Sequence, residues 1–247
     1  KGDITQANTD KVKAAKRSFV FLNLHTAEVP AALIVLDKVV SSDPTFKKFW
    51  LLHSIEEPTI EGNRFIVRRT KNGDTGMLQN HVLLPEAGNA QIEKVGGKGK
   101  EFWVFGTNYP NDALHNRTED ANDRGAWRVE VSPAAPATED CFLIVMQVAD
   151  NTCKRMHDVK RIDAEKVVGI QIDGRIVTFS RDSRPLSGKV DMKVDGNAAM
   201  KFVITDLIPG TWQIKKDGKV YIPAMEVRSD DGILSFEGTA GHYEFLR

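Results

Sequence analysis

The chain has 247 residues, of which 41% are hydrophobic and 28% charged, a globular composition that excludes an intrinsically disordered protein. Its 34 Lys and Arg residues balance 34 Asp and Glu residues, so it lacks the broad basic field of nucleic-acid-binding proteins, and we expect no nucleic-acid partner. No apolar run is long enough to span a bilayer, and the first residues do not form a signal peptide, so we expect no membrane contact.

The chain begins at Lys1 without an initiator methionine, and we expect it to be part of a longer protein. Its first segment holds a stretch with helical pattern, TDKVKAAKR, residues 9–17. Short β-rich runs separated by turn sequences then follow as far as residue 150. Several of them are apolar on both faces, which predicts strands inside stacked sheets. In chain order these runs are RSFVFLNL, AALIVLDKVV, FWLLHSI, RFIVRRT, MLQNHVLL, EFWVFG, AWRVEVS and CFLIVMQVA.

The pattern changes near Asn151, where the polar sequence NTCKRMHDVKRID indicates a connector. Asp-Gly pairs follow at residues 173–174, 217–218 and 231–232, each beside β-rich runs. This dipeptide between such runs is a strong hairpin signal. The sequence therefore predicts an all-β protein of two modules, residues 1–150 and 151–247, with helix confined to the first sixteen residues.

His53 stands in an apolar run and is followed by Glu56 and Glu57. This pattern suits either a general base or a core strand. In an extended strand Glu57 shares the His53 face, and Glu56 lies on the other face. Polar groups inside apolar runs are mostly satisfied core groups. We therefore expect His53 to be buried and bonded to a carboxylate or carbonyl group, with a catalytic role as the less favoured alternative.

A glycine-rich loop lies in VGGKGKEFWVFGTNY, residues 95–109. It lacks the GKS or GKT ending of a Walker loop and the helix that follows one. Two interpretations stay open: a tight hairpin loop, or a basic loop whose N–H and ammonium groups bind an anionic ligand. In the second interpretation the substrate-binding residues are Lys98 and Lys100.

Other polar residues give weaker signals. The arginines of NRFIVRRTKNG alternate between faces, with Arg64 and Arg68 on one face and Arg69 on the other. This arrangement favours a solvated edge strand over a single basic groove. The six histidines show no metal-ligand spacing, so we predict no metal site and no cofactor in this chain.

The two cysteines are too few for a disulfide scaffold. Cys141 lies in an apolar run and is expected to be a buried free thiol, and we do not expect it to pair with Cys153. The sequence NRT at Asn116 is a glycosylation sequon by pattern only.

Eight blocks of the chain form a recognisable set: KRSFVFLNL, VPAALIVLDKVVSSDPTFKKFWLLHSIEEP, RRTKNGDTGML, GGKGKEFWVFGTNY, VKRID, EKVVG, TDLIPGTWQ and DDGILSFEGT. They resemble the C-terminal part of heparinase II/III-like polysaccharide lyases. The resemblance runs from about Lys11 to Arg247. It implies that residues 1–150 are the later part of a central β-sandwich and that residues 151–247 are a small two-layer antiparallel β domain. An α/α toroid would precede both in the whole enzyme.

The resemblance also implies a reaction. Such lyases remove the C5 proton of a uronic acid and expel the glycosidic oxygen, here in heparin or heparan sulfate, a sulfated glycosaminoglycan. The base and acid, a histidine and a tyrosine, and a structural zinc are expected upstream, so no catalytic or zinc residue is assigned here. The resemblance implies that the upstream toroid is the partner of this chain and that the enzyme is periplasmic or secreted. Whether the enzyme forms a homodimer stays open. The chain by itself is expected to be inactive.

Two alternatives remain at this point. One is a stand-alone carbohydrate-binding β module. The other is part of a lyase for a different uronic acid polymer, which suits the zero net charge about as well, because heavily sulfated heparin favours a more basic groove.

Overall fold

A computed structural model describes residues 1–109, 125–182 and 184–247; the sequon at Asn116 lies outside them. The described residues are all-β, which confirms the predicted fold class, and their helical structure is a 3-10 turn at Thr5–Ala7. None of their helices is long and apolar enough to cross a membrane. The chain divides into two compact units, Lys1–Met156 and His157–Arg247. Assigning them to domains of a larger enzyme stays a prediction.

The first unit contains the strands before the connector. Those that the described residues form are β1 (Gly2–Asp3), β2 (Val12–Asn23), β3 (Ala31–Ser41), β4 (Trp50–Ser54), β5 (Thr59–Glu61), β6 (Arg64–Lys71), β7 (Asp74–Leu84), β8 (Ala90–Gly96), β9 (Trp103–Val104), β10 (Thr107–Asn108), β11 (Trp127–Pro133) and β12 (Glu139–Ala149). They form a seven-stranded sheet in the order β1-β2-β3-β12-β7-β6-β5, a three-stranded sheet β4-β11-β8 and the small hairpin β9-β10.

The two larger sheets of this unit pack as a sandwich. The three-stranded sheet contributes Trp50, Val129 and Val131 to a shared buried cluster. The seven-stranded sheet contributes Phe65 and Phe142, among others, to the same cluster. Period-two alternation explains this arrangement, because every second side chain of β4 and β11 points to the same face. The opposite face of the three-stranded sheet is left outside this core.

Strand β2 corrects one prediction and leaves an open edge. The stretch predicted as helix, TDKVKAAKR, is largely strand, because β2 pairs with β3 from Val12 to Asn23 and this pairing outweighs a weak local preference for helix. On its other side β2 pairs only with β1, at Lys16 and Arg17, among the described residues. Beyond them Phe19 and Phe21 are 57% and 66% exposed.

Two smaller predictions are met in part. Strand β5 covers only Arg64–Ile66 of β6, so the rest of β6 has an open side within the described chain, and Arg68 is exposed as expected of an edge. Cys141 and Cys153 are free thiols. Cys141 is half-buried rather than buried, because it lies near the end of β12.

The second unit is smaller and has two layers. Its described strands are β13 (Val159–Asp163), β14 (Val167–Ile172), β15 (Arg175–Ser180), β16 (Val190–Val194), β17 (Met200–Ile204), β18 (Gly210–Lys216), β19 (Lys219–Val227), β20 (Leu234–Gly238) and β21 (Gly241–Leu246). One sheet has the order β13-β14-β15-β17-β20 and the other β16-β21-β18-β19. Trp212, Tyr243 and Phe202 lie fully buried in the cluster that joins them.

Two of the three Asp-Gly pairs in this unit form the predicted hairpins. The third, at residues 231–232, lies between β19 and β20, which belong to different sheets. Asp173 and Gly174 have φ angles of 41° and 66°, and they join β14 to β15. Positive φ at both central residues is the requirement of a type I′ turn. Asp217 and Gly218 do the same between β18 and β19.

One strand pair departs from the predicted antiparallel arrangement. Strand β17 runs parallel to β15 over four residue pairs, Arg175–Thr178 with Lys201–Ile204. The chain leaves β15, forms β16 in the other layer and returns in the same direction. Parallel neighbours require such a crossover.

Candidate functional site

A cleft of about 440 Å³ lies on the outward face of the three-stranded sheet. Alternation along β11 places Val129 in the core and leaves Arg128 and Glu130 on the opposite face. The strand register sets His53 of β4 and Val95 of β8 beside Arg128, on either side of it. Two strands that are distant in sequence, β4 and β11, therefore bring one histidine, one arginine and one glutamate to the same surface.

The walls of the cleft are apolar and partly solvent-exposed. Phe49 and Leu51 are 44% and 46% exposed. The β9-β10 hairpin adds Trp103 and Phe105. Most single exposed apolar residues need no explanation, but a contiguous group around polar side chains is typical of a binding surface.

Arg128 and Glu130 form an ion pair inside this cleft. Arg128 Nε donates to Glu130 Oε1 at 2.6 Å, and the two side chains are only 14% and 19% exposed. The terminal amino groups of Arg128 have no hydrogen-bond partner among the described residues. A guanidinium carries five N–H donors in a planar fork, so the pair with Glu130 uses one and leaves the terminal ones available to a ligand.

His53 corrects a prediction. It is exposed rather than buried, and the described residues offer its ring no hydrogen-bond or ion-pair partner. Glu57 is paired elsewhere, because Lys94 Nζ lies 2.5 Å from its Oε1. The alternation of side chains along β4 was predicted correctly, but the core packs against the other face of the strand, through Trp50 and Leu52.

The glycine loop is a hydrogen-bonded turn, and this corrects half of its ligand-binding interpretation. The Gly97 N–H donates to Ala126 O and the Lys100 N–H to Gly97 O. The Gly99 N–H donates to Glu101 Oε2 at 3.0 Å. These three N–H groups are therefore occupied and do not form an anion-binding concavity.

The loop's ammonium groups remain available. Lys98 and Lys100 are both exposed. Lys100 Nζ lies 5.5 Å from the centre of the Trp103 ring, a cation–π distance that places it at the rim of the cleft. Lys98 does not line the cleft and acts on Glu101, whose pKa is held below its ordinary value mainly by the N–H groups of Glu101 itself and Gly99.

The position of this loop depends on its glycines. A Cβ at Gly96 would lie 2.3 Å from Ala126 O, and one at Gly97 would lie 2.8 Å from the Trp127 ring. Both glycines have positive φ, 152° and 78°. A side chain at either position would push the loop, and the hairpin after it, away from the sheet.

The sequence pattern did not predict the hairpin that follows the loop. The run EFWVFG was predicted as one strand, but Phe105 and Gly106 form the turn between β9 and β10, with φ angles of 47° and 87°. A positive φ is unusual for a bulky residue, and Phe105 is fully exposed. Gly106 was the available signal, because an X-Gly pair can form a type I′ turn.

A second cavity, of about 320 Å³, lies in the second unit and is lined by charged residues. Its cations are paired with neighbouring groups. Arg184 Nε lies 3.3 Å from Asp182 Oδ2, and Arg181 pairs with Asp163 and donates to Ala164 O. This cavity is therefore less suited to an acidic ligand than the cleft on the three-stranded sheet.

The described residues contain no group of three or more His, Cys, Asp or Glu side chains placed to hold a metal ion. The structural zinc that the resemblance implies was expected upstream, and this expectation stays a prediction.

Comparison with known families bears on the second unit. The family model of the heparinase II C-terminal domain matches residues 161–247. This segment is similar to that domain. The match begins within β13 and runs to the last residue, so it lies inside the second unit. It confirms the resemblance of the C-terminal portion to heparinase II/III-like lyases. A search of curated proteins found no match to the chain.

The heparinase II C-terminal domain does not contain the cleft. His53, Lys98, Lys100 and Arg128 all lie in the first unit, before the matched segment. Their roles are therefore not assigned by the family match, and the predicted substrate contacts of Lys98 and Lys100 stay predictions.

Proposed function

We propose that this chain is the C-terminal β region of a polysaccharide lyase that cleaves heparin or heparan sulfate by β-elimination. The observation that carries the proposal is the match of residues 161–247 to the heparinase II C-terminal domain. The cleft with exposed aromatic and cationic side chains in the preceding unit supports a protein that handles an acidic polysaccharide.

In this proposal the chain supplies scaffold and one edge of the substrate cleft. Elimination needs a base near the C5 proton and an acid at the leaving oxygen, both within hydrogen-bond reach of one sugar. We infer from the resemblance that a histidine and a tyrosine of an upstream toroid supply these groups, and that this toroid is the partner of the chain in a periplasmic or secreted enzyme. Lys98 and Lys100 would attract the anionic polymer, and because they are exposed, their contribution is screened by salt.

Turnover by the purified chain tests the proposal. The chain is mixed with heparan sulfate, and the absorbance of the unsaturated uronate product is followed against a boiled control. We expect no product from this chain and product from a longer protein that includes the upstream region. Product from the chain itself would contradict the assignment of base and acid upstream and would make His53 the first residue to mutate.

A second candidate is a carbohydrate-binding module without a lyase partner. The exposed aromatic cleft favours it, because binding modules need such a surface and no base or acid. The intact mass of the native protein separates the two candidates. A mass that leaves no room for an upstream toroid would support the binding module.

The zero net charge keeps a lyase for another uronic acid polymer as a further alternative. An activity assay separates this alternative from the leading proposal: the longer protein is given less sulfated uronic acid polymers as substrates. Cleavage of those polymers but not of heparin or heparan sulfate would contradict the proposed substrate.

A further inference from the structure

We propose that the cleft over β4, β11 and β8 binds one unsulfated uronic acid residue, with Arg128 holding its carboxylate and the rings of Trp103 and Phe105 covering a C–H face of the sugar. This inference rests on the proposed function for the class of polymer. It goes beyond that function by naming a subsite, the group that occupies it and a preference for low sulfation.

The first step is the state of Arg128. Its side chain is 14% exposed, and its Nε is fixed by Glu130 at 2.6 Å. Its terminal amino groups have no partner among the described residues. Polar groups at such depth are nearly always hydrogen-bonded to protein, water or a ligand. A carboxylate is the ligand that matches the planar fork of a guanidinium with two parallel bonds.

The second step is the charge of the cleft. Glu130 cancels the charge of Arg128, and Glu93 lies beside Glu130 on the neighbouring strand. The interior of the cleft therefore offers a shaped donor rather than a strong positive field. Several sulfate groups would meet the two glutamates with like charge, whereas a single carboxylate can use the fork of Arg128. This favours an unsulfated uronate over a heavily sulfated one.

The third step is the apolar wall. Phe105 is fully exposed at a turn with positive φ, so its ring gains no burial within the described chain and is available for contact. Phe49 and Leu51 extend the apolar surface toward Arg128. A sugar has both apolar C–H faces and a polar rim, and it can cover these side chains while its carboxylate reaches Arg128. The cleft volume, about 440 Å³, is within the range of small-molecule sites.

Calorimetric titration of the 247-residue chain tests the site. The probe is an unsulfated uronic acid–glucosamine hexasaccharide at about 0.15 M salt, where exposed charges are screened beyond about 8 Å. The matched probe is the same hexasaccharide with its carboxyl groups reduced to alcohols. We expect the reduced sugar to bind about 10-fold or more weakly, because the charge-assisted bond to Arg128 is lost.

Variants locate the binding. Arg128→Gln should weaken binding about 10-fold or more, and Arg128→Lys should give an intermediate loss because the fork is lost but the charge stays. Arg68→Gln is the matched control, since it removes an exposed arginine outside the cleft. Phe105→Ala should weaken binding about 3- to 10-fold; its ring is fully exposed, so this variant tests the site even if Arg128→Gln does not fold.

Three results would overturn the site. They are equal binding of the two sugars, equal losses for Arg128→Gln and Arg68→Gln, and no binding of the unsulfated hexasaccharide by the unaltered chain. The outcomes also separate the two proposals. Binding by the chain without elimination by the longer protein would defeat only the proposed function. Elimination that Arg128→Gln and Phe105→Ala leave unchanged would defeat only the site.

Discussion

The two units use their aromatic residues in opposite ways. The second unit buries Trp212, Tyr243 and Phe202 between its two sheets. The first unit leaves Phe49 and Phe105 exposed beside polar side chains, on the face of a sheet that its core does not use. The family match falls on the unit with the closed core, whereas the candidate chemistry lies on the unit with the open face. The family match and the candidate cleft therefore lie in different units of the chain.

Removing one tryptophan from each region should give the largest contrast. Trp212 is fully buried, and its Nε1 donates to Ile208 O at 3.0 Å, so we expect Trp212→Ala to cost about 3–5 kcal/mol in the free energy of unfolding. Trp103 is only half-buried at the rim of the cleft, and Trp103→Ala should cost about 1 kcal/mol or less. Urea denaturation measures both values. Equal losses would show that the cleft is part of a core.

A buried ion pair gives the next effect. Lys48 Nζ lies 2.8 Å from Asp140 Oδ2, off the line of a good hydrogen bond, with side chains 6% and 11% exposed. Lys48 Nζ also donates to Ala137 O at 2.5 Å. Asp140→Ala should cost about 3 kcal/mol, because it leaves a buried ammonium without its counter-charge.

The matched variant for this pair is Glu244→Gln in the second unit, which removes the partner of Lys189, a lysine whose side chain is 53% exposed. Its effect on the urea midpoint should be much smaller than that of Asp140→Ala. A Glu244→Gln variant as unstable as Asp140→Ala would contradict the contrast between buried and exposed pairs.

His81 makes the first unit sensitive to acid. Burial, together with the nearby charge of Arg64, lowers the pKa of His81 to about 4. The unfolded chain binds this proton near pH 6.5, so stability is complete above that pH and falls as the pH drops from about 6.5 to about 4. The full shift corresponds to about 3 kcal/mol, and solvent screening around a partly buried group reduces the effect to about 1–2 kcal/mol.

Urea midpoints between pH 4 and 7 measure this dependence. His81→Gln should flatten the curve, because this variant lacks the group whose pKa differs between the folded and the unfolded chain. A curve that His81→Gln leaves unchanged would assign the acid sensitivity to other groups.

His53→Ala should have the smallest effect on stability. Because the ring is exposed and unpartnered in the described chain, the change in unfolding free energy should stay within about 0.5 kcal/mol. This replaces the loss of about 1–3 kcal/mol that a buried, bonded histidine would give. A melting curve measures it directly, and a large loss would show that His53 is held by contacts that the described residues do not provide.

Strand positions could be predicted from the sequence because they depend on the local pattern of residues. The β-rich runs, the change near Asn151 and the hairpins at Asp173 and Asp217 all follow from residues close to one another in the chain. The strand around Val12 could not be predicted, because the local sequence has a modest helical pattern. Pairing with β3 overrides that pattern, and the local sequence does not show where β3 lies.

The face of β4 shows why the site was harder to predict than the strands. Alternation correctly separates His53 and Leu51 from Trp50 and Leu52. Both sets contain large apolar residues, so the pattern does not say which face meets the core. That choice depends on where the seven-stranded sheet lies. The strand that contains Arg128 was predicted, but nothing in its sequence shows which face points outward. The position of the seven-stranded sheet would have placed Arg128 in the cleft.

The open edge of β2 has a consequence for handling the protein in solution. Between Arg17 and Asn23 the outer backbone groups of this strand have no strand partner in the described chain, and Phe19 and Phe21 are exposed beside them. Such an edge is a template for addition of another strand. We therefore expect Phe21→Lys to raise the concentration at which the chain precipitates, because a charge on an edge strand opposes the addition of another strand.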